Sequence, residues 1–280
     1  MRKTRVRISS PLPLSESQNM GAISLYARPS PDFAQKLAYS LALLKSAAAA
    51  YSPLTQASSL GAEDMVVTHL LHEAGIDASI FVLDTGMLHV ETVALVARIE
   101  ARYPLKVAVY RPDATVAAAF VRANGAEAMY KSLELRKQCC HIRKMEPLER
   151  ALTGKRGWLT GLRREQSTAR AEVHDVEQQE DRAKINPLAA WTWGDVWHYI
   201  SQSAIPYNPL HDEFFPSIGC APCTRAVTLG EDFRSGRWWW EQESAKECGL
   251  HVAADGSHEA EEPAAFEPLS SIIPTREIPA

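Results

Sequence analysis

LTQASSLGAEDMVVTHLLHEAGIDASIFVLDTG, residues 54–86, contains one complete strand, helix and strand. An extended stretch ends at Ser58–Leu60, an apolar 3.6-residue period predicts a helix from about Ala62 to Glu73, and the apolar run Ser79–Leu83 reads as a buried strand. The alternation continues outward, with a helix over about Glu91–Tyr103, a strand at Lys106–Tyr110 and a helix over Ala114–Ala123. Strands separated by helices of this length join by crossovers, so the fold class is α/β, a parallel twisted sheet flanked by helices. Upstream, Ser30 and Pro31 are suited to start a helix that carries Phe33, Leu37, Leu41 and Leu44 on one face and runs to about Ala50. Downstream, Leu133–Leu152 is rich in helix formers, GWLTGLR at 157–163 reads as a strand ending in a loop, and Trp191–Ser201 as a helix with packing aromatics at Trp193 and Trp197.

The chain has 280 residues, is 46% hydrophobic and carries a formal net charge of -4, which gives no general electrostatic reason to bind nucleic acid or an anionic membrane. No apolar run is long enough to span a bilayer, and the first twenty residues lack the apolar stretch of a signal peptide, so a cytoplasmic location is expected. Residues 1–25 read as a disordered arm and 255–280 as a disordered tail, the last thirty positions holding six acidic residues, one Arg and four prolines. Between them, 26–240 is expected to form the folded domain and 241–254 a mobile segment carrying Cys248. No internal repeat is present, and the sequence is compatible with a homo-oligomer.

Five cysteines without an export signal indicate metal or redox chemistry rather than a disulfide framework. Cys139 and Cys140 are adjacent, Cys220 and Cys223 form a CxxC, and Cys248 stands alone. The first four are a complete thiolate set for tetrahedral zinc or for an iron–sulfur cubane, although an adjacent pair lacks the spacer of a zinc knuckle. Cys248 lies in a polar stretch, which favours an exposed thiol over a packing residue. Ser58, Ser59 and Gly61 stand where a strand yields to a helix, a place where backbone N–H groups can hold phosphate. The run Leu83, Asp84, Thr85, Gly86 ends the next strand, on the edge where open α/β sheets bind ligands, and only the resemblance described below assigns it to the adenosine side of a nucleotide. A helix cap or a turn is the plainer reading of Asp84. Lys144, Arg163, Arg164, Arg234 and Arg237 are the candidate anion binders, the last two standing three apart beside Trp238–Trp240 as on one helical face. The tryptophans themselves read as packing residues.

The segments KQCCHIRKMEPL, GCAPCTRAV, GEDFRSGRWWWE and KECGLH occur in this order within residues 137–251. In order and spacing they resemble the bacterial assimilatory adenylyl-sulfate (APS) reductases, the cluster-containing branch of the sulfonucleotide reductases, from about Ser52 to His251. The resemblance implies an adenine-nucleotide alpha-hydrolase-like fold, related to the PP-loop ATP pyrophosphatases. It also implies one [4Fe–4S] cluster on Cys139, Cys140, Cys220 and Cys223, with Cys248 as the nucleophile. The substrate it implies is APS, with thioredoxin or a similar dithiol protein as reductant, in sulfate assimilation toward cysteine. The loop at 58–61 resembles a degenerate form of the SGGxDS phosphate loop, which argues against ATP cleavage. Members acting on the 3'-phosphorylated substrate, PAPS, generally lack the cysteine pairs. Alternatives are a PAPS reductase, an iron–sulfur PP-loop enzyme thiolating RNA, and a non-enzymatic zinc or redox module.

Overall fold

The computed structural model describes residues 21–228 and 230–241. Eight α-helices and six strands are found among them: α1 Ala22–Tyr26, α2 Phe33–Tyr51, β1 Leu54–Ser58, α3 Ala62–Glu73, β2 Ala78–Leu83, α4 Val90–Arg102, β3 Val107–Tyr110, α5 Ala114–Asn124, α6 Leu133–Cys140, α7 Glu146–Leu152, β4 Gly157–Leu159, β5 Val176–Gln178, β6 Ala183–Ile185 and α8 Trp193–Gln202. A π-helical turn, His141–Met145, joins α6 to α7 without a break. The strands form one sheet in the order β3-β2-β1-β4-β6-β5. All neighbours run parallel except the β5/β6 pair at one edge, which is antiparallel. The expected α/β class is borne out, and the antiparallel edge strand is added to it.

Helix α3 shows why the expected pattern was strong. Ten of its twelve residues are buried, so it is a central element covered on all sides rather than a surface helix. It lies in the main apolar core with Leu44, Leu54, Leu95, Trp191 and Trp197, while Phe81, Leu148, Leu152 and Trp158 form a second cluster with residues of α7. Helix α5 begins where the Asp113 carboxylate accepts the N–H groups of Thr115 and Val116, and α8 begins in a capping box between Thr192 and Asp195.

Two expectations at the N-terminal side are corrected. The disordered arm was to reach residue 25, but α1 already occupies Ala22–Tyr26, with Ala22 fully buried and its N–H donating to Asp212 at 2.7 Å. Ser30 does not cap α2, whose N-cap is Asp32. Its hydroxyl and N–H instead donate to the buried Asp195 at 2.7–3.0 Å, tying the chain before α2 to the start of α8. The remainder of the arm, the tail at 255–280 and the segment bearing Cys248 lie outside the described residues. Among the described residues no helix is long and apolar enough to cross a membrane.

The sheet order reverses beside β1, because β2 and β3 extend to one side and β4 to the other. The crevice beyond the carboxyl ends of β1 and β4 is therefore the place for a ligand in an open sheet of this kind. Gly161 narrows it: a β-carbon there would stand 2.7 Å from the Glu63 side chain and from the Asp64 carboxylate, so only glycine lets the strand end approach α3 so closely.

Candidate functional site

Adjacent residues on an α-helix point about 100° apart. Cys139 and Cys140, the last two residues of α6, are followed at once by the wider π turn. Such turns recur at functional sites because they re-aim side chains within a continuous helix. The CxxC loop comes to them from the other side. Leu88 and Cys220 form an antiparallel bridge, and the Ala221 N–H donates to the Met87 carbonyl at 2.8 Å. The loop is thereby fixed to the backbone just after β2.

Cys139, Cys220 and Cys223 are each 8% exposed and share an apolar cluster with Phe120, Met129 and Trp238. Cys140 is half-buried and among the charge neighbours of Cys223. Burial, and then the thiols of Cys220 and Cys140, push the Cys223 thiol up to about 12, against the pull of Lys144 and Arg237. Burial likewise raises the Cys139 thiol, opposed by Arg143 and Lys144. The structure thus brings together all four cysteines that the sequence singled out. As free thiols these two stay protonated at neutral pH, so a metal would displace their protons on binding. Among the described residues, no three Cys, His, Asp or Glu side chains close round one point as a single metal ion requires.

Thr85 lies against this site. Its side chain is fully buried, and its hydroxyl is 3.2 Å from the Cys220 sulfur. Its carbonyl accepts from Arg143 at 2.7 Å. Asp84 closes a turn by accepting the Gly86 N–H at 3.0 Å and pairs with Arg111 at 2.9 Å. Leu83–Gly86 was assigned to the adenosine side, yet Thr85 is part of the wall of the cysteine site.

The anion-binder candidates divide. Lys144 is a charge neighbour of Cys139 and Cys223, and Arg237 of Cys223. Arg234 and Arg237 do not share a helical face, because a turn closes between them with the Arg237 N–H donating to the Arg234 carbonyl at 2.8 Å. Both are buried, their guanidinium carbons 5.9 and 4.6 Å from the centre of the Trp238 ring, and Arg237 lies over Gly219, where a β-carbon would come within 2.3 Å of it. Trp238 is a buried packing residue, as read from the sequence. Arg164 instead pairs with Asp175 at 3.0 Å, half-exposed.

Arg163 is 1% exposed and held by acids of its own chain. Its Nε and Nη2 donate to Glu63 at 3.0 and 2.9 Å, and its Nη1 donates to Glu165 at 2.8 Å. Removing one member of such a buried pair leaves the other charge uncompensated. Arg163→Met is therefore expected to lower unfolding stability by about 3–5 kcal/mol, measured by urea denaturation. A change of under about 1 kcal/mol, as for an exposed pair, would show that Glu63 is not this side chain's main partner.

The loop at 58–61 lies at the end of β1 as expected, with an internal carboxylate at its centre. The Ser59 N–H and hydroxyl both donate to Asp64 at 2.6 Å, and the Gly161 N–H donates to the same carboxylate from the far wall at 3.0 Å. Leu60 adopts a left-handed conformation, its N–H donating to the Ser58 hydroxyl at 3.2 Å. Burial raises the Asp64 carboxyl to about 6 in spite of the Ser59 hydrogen bonds. His211 is buried nearby in charge terms, driven down to about 4 by burial in spite of Glu63.

Several site residues were not found from the sequence. Arg136 and Arg143 stand three or four positions from the cysteine pair, a helical spacing that could have marked them. Glu63 and Glu241 carry no local signal, because their partners lie about 100 positions away in the chain, and Asp64 and Gln166 add to their near neighbours Ser59 and Arg163 the distant partners Gly161 and Glu63.

A model of the phosphoadenosine phosphosulfate reductase domain matches residues 53–226. The chain belongs to the phosphoadenosine phosphosulfate reductase family. Among curated members of this family, the adenosine 5'-phosphosulfate reductase of Burkholderia cepacia is 49% identical over 224 residues, covering 79% of this chain and 90% of that protein. The protein of the same name from Neisseria meningitidis serogroup A is 50% identical over 198 residues, covering 70% and 81%. Among solved structures, the phosphoadenylyl-sulfate reductase of Candida auris, a phosphate complex, superposes with a TM-score of 0.58 at 24% identity, covering 71% of this chain and 98% of that one. Yeast FAD synthetase reaches 0.50 at 13% identity, covering 73% of each. These two similarities show the fold alone, an α/β fold around a mostly parallel six-stranded sheet. The resemblance drawn from the cysteine motifs is borne out.

Proposed function

We propose that the chain is an adenosine 5'-phosphosulfate reductase that releases sulfite and AMP, with Cys248 as its nucleophile. The observation that carries this reading is the gathering of Cys139, Cys140, Cys220 and Cys223 with Lys144 and Arg237 in one buried site next to the carboxyl end of β2. The close relatives that bear this name support it.

The four thiols suit one [4Fe–4S] cluster better than zinc. Tetrahedral zinc, with Zn–S bonds of about 2.3 Å, draws its thiolates to within about 4 Å of one another, whereas the corners of a cubane hold them further apart. When bound, the cluster would supply a fixed centre of charge that closes the site. The electrons come from thiols.

In the proposed reaction the Cys248 thiolate attacks the sulfur of APS. The bond from that sulfur to the bridging oxygen breaks, AMP departs with the electron pair, and S-sulfocysteine remains. A thiolate of thioredoxin, or of a similar dithiol protein, attacks the Cys248 sulfur, and sulfite leaves with the electrons of the broken S–S bond. The donor's second thiol then resolves the mixed disulfide and restores Cys248. Lys144, Arg234 and Arg237 oppose the negative charge that gathers on the phosphosulfate and its leaving group. A cytoplasmic setting, where dithiol donors stay reduced, suits this chemistry.

The test is sulfite release from APS and from PAPS, measured side by side without oxygen and with a dithiol donor. The kcat/KM for APS is expected to exceed that for PAPS by about tenfold or more, equivalent to about 1.4 kcal/mol. Equal values, or a preference for PAPS, would make the chain a PAPS reductase. Absence of sulfite from both would overturn the reading.

A further inference from the structure

Arg136 is a fully buried guanidinium on α6, one helical turn before the cysteine pair. Its Nε and Nη2 donate to the two carboxylate oxygens of Glu241 at 2.9 and 2.8 Å, across 105 positions of sequence. The side chains are 1% and 7% exposed. The guanidinium also hydrogen-bonds Cys140 and stacks 4.8 Å from the centre of the Trp238 ring. A buried ion pair is weak evidence for stability, since apolar residues of similar volume often serve as well. A planar fork instead fixes the direction of its partner. Here the partner is the residue seven positions before Cys248.

We propose that Arg136 and Glu241 are positioning residues: together they set, from a cysteine of the buried site, the point and direction from which the chain runs toward Cys248. This rests on Cys248 being the nucleophile, as proposed above. The alternative is that the pair merely shortens a tether, and magnitudes separate the two. Seven extended residues reach at most about 24 Å. Without the pair the chain is still held at or just before this point, by the Glu241 N–H donating to the Trp238 carbonyl at 2.8 Å and by Trp240, whose ring centre lies 4.5 Å from that of Tyr130. Lengthening a flexible tether by about one residue dilutes its end by far less than about twofold. Loss of aim by about an ångström costs about a hundredfold.

The experiment uses the iron-loaded enzyme and APS without a thiol donor, and follows by mass the rate at which the Cys248 peptide gains an SO3 group. Iron per chain and APS affinity are measured on the same samples. Glu241→Gln is the main variant, because Glu241 belongs to the partner side of the fork; Arg136→Lys keeps the charge and loses the fork. Adduct formation is expected to slow by about a hundredfold in both, with iron content and APS affinity unchanged in Glu241→Gln. Slowing by less than about fivefold in Glu241→Gln leaves only a tether effect and overturns the proposal. Loss of iron in Glu241→Gln also overturns it, by making the pair part of the construction of the cysteine site. If the wild-type enzyme itself places no adduct on Cys248, the reading of the nucleophile fails and this proposal falls with it. A normal wild-type adduct with a normal Glu241→Gln rate refutes the positioning role alone.

Discussion

Cys220→Ser is expected to give a folded protein that binds no iron–sulfur cluster. Cys220 is one of four thiols gathered at the site, and soft thiolates are what such clusters select. Its sulfur also faces the Thr85 hydroxyl at 3.2 Å, a contact that supports a thiolate and that serine's shorter side chain cannot reproduce. The fold should survive, because the main core around α3 and the sheet contains none of the four cysteines. Iron per chain and the visible absorption of the anaerobically purified variant check this, with far-ultraviolet circular dichroism as the control for folding. A full complement of four irons per chain in Cys220→Ser would remove this residue from the ligand set.

The second large effect concerns Cys248→Ser. If the four gathered thiols are spent on a cluster, as proposed, Cys248 is the cysteine left to attack sulfur. The variant should keep its iron and still bind APS, while sulfite release falls by about 10⁴-fold or more, the scale on which loss of a covalent nucleophile is felt. Turnover within about tenfold of wild type would mean that another group performs the attack.

Much of this architecture was legible because its central elements obey local rules. The helix expected over residues 62–73 is α3, and the helix and strand that follow β2 were placed to within a residue of α4 and β3. β5 and β6 escaped notice because each is three residues long, in a polar stretch with no apolar run. β6 is nonetheless buried throughout. Lys184 lies with its ammonium 5.8 Å from the centre of the Trp158 ring and donates to Glu177 at 2.9 Å, a tertiary solution that composition does not announce.

The candidate site was legible in proportion to how strongly each residue type limits its own chemistry. Cysteines in two close pairs have few other uses in a chain with no export signal, and the structure gathers them. Arginines carry no such limit. Arg163 and Arg237 both read as candidate anion binders, but Arg163 is held by Glu63 from α3, whereas Arg237 lies among the charge neighbours of Cys223. Thr85 was read through its place just past a strand end, and it does lie just past β2. The neighbour that decides its role, Cys220, lies 135 positions away.

Cys248 is proposed to carry the substrate's sulfur while the other four cysteines build the site that supports it. Wild-type enzyme incubated with APS and no thiol donor, then digested and weighed by mass spectrometry, tests this most directly. One added SO3 group per chain is expected, on the peptide containing Cys248, lost on addition of a dithiol protein as sulfite appears. An adduct on Cys220 or Cys223, or sulfite released from APS by a donor without any adduct on Cys248, would contradict it.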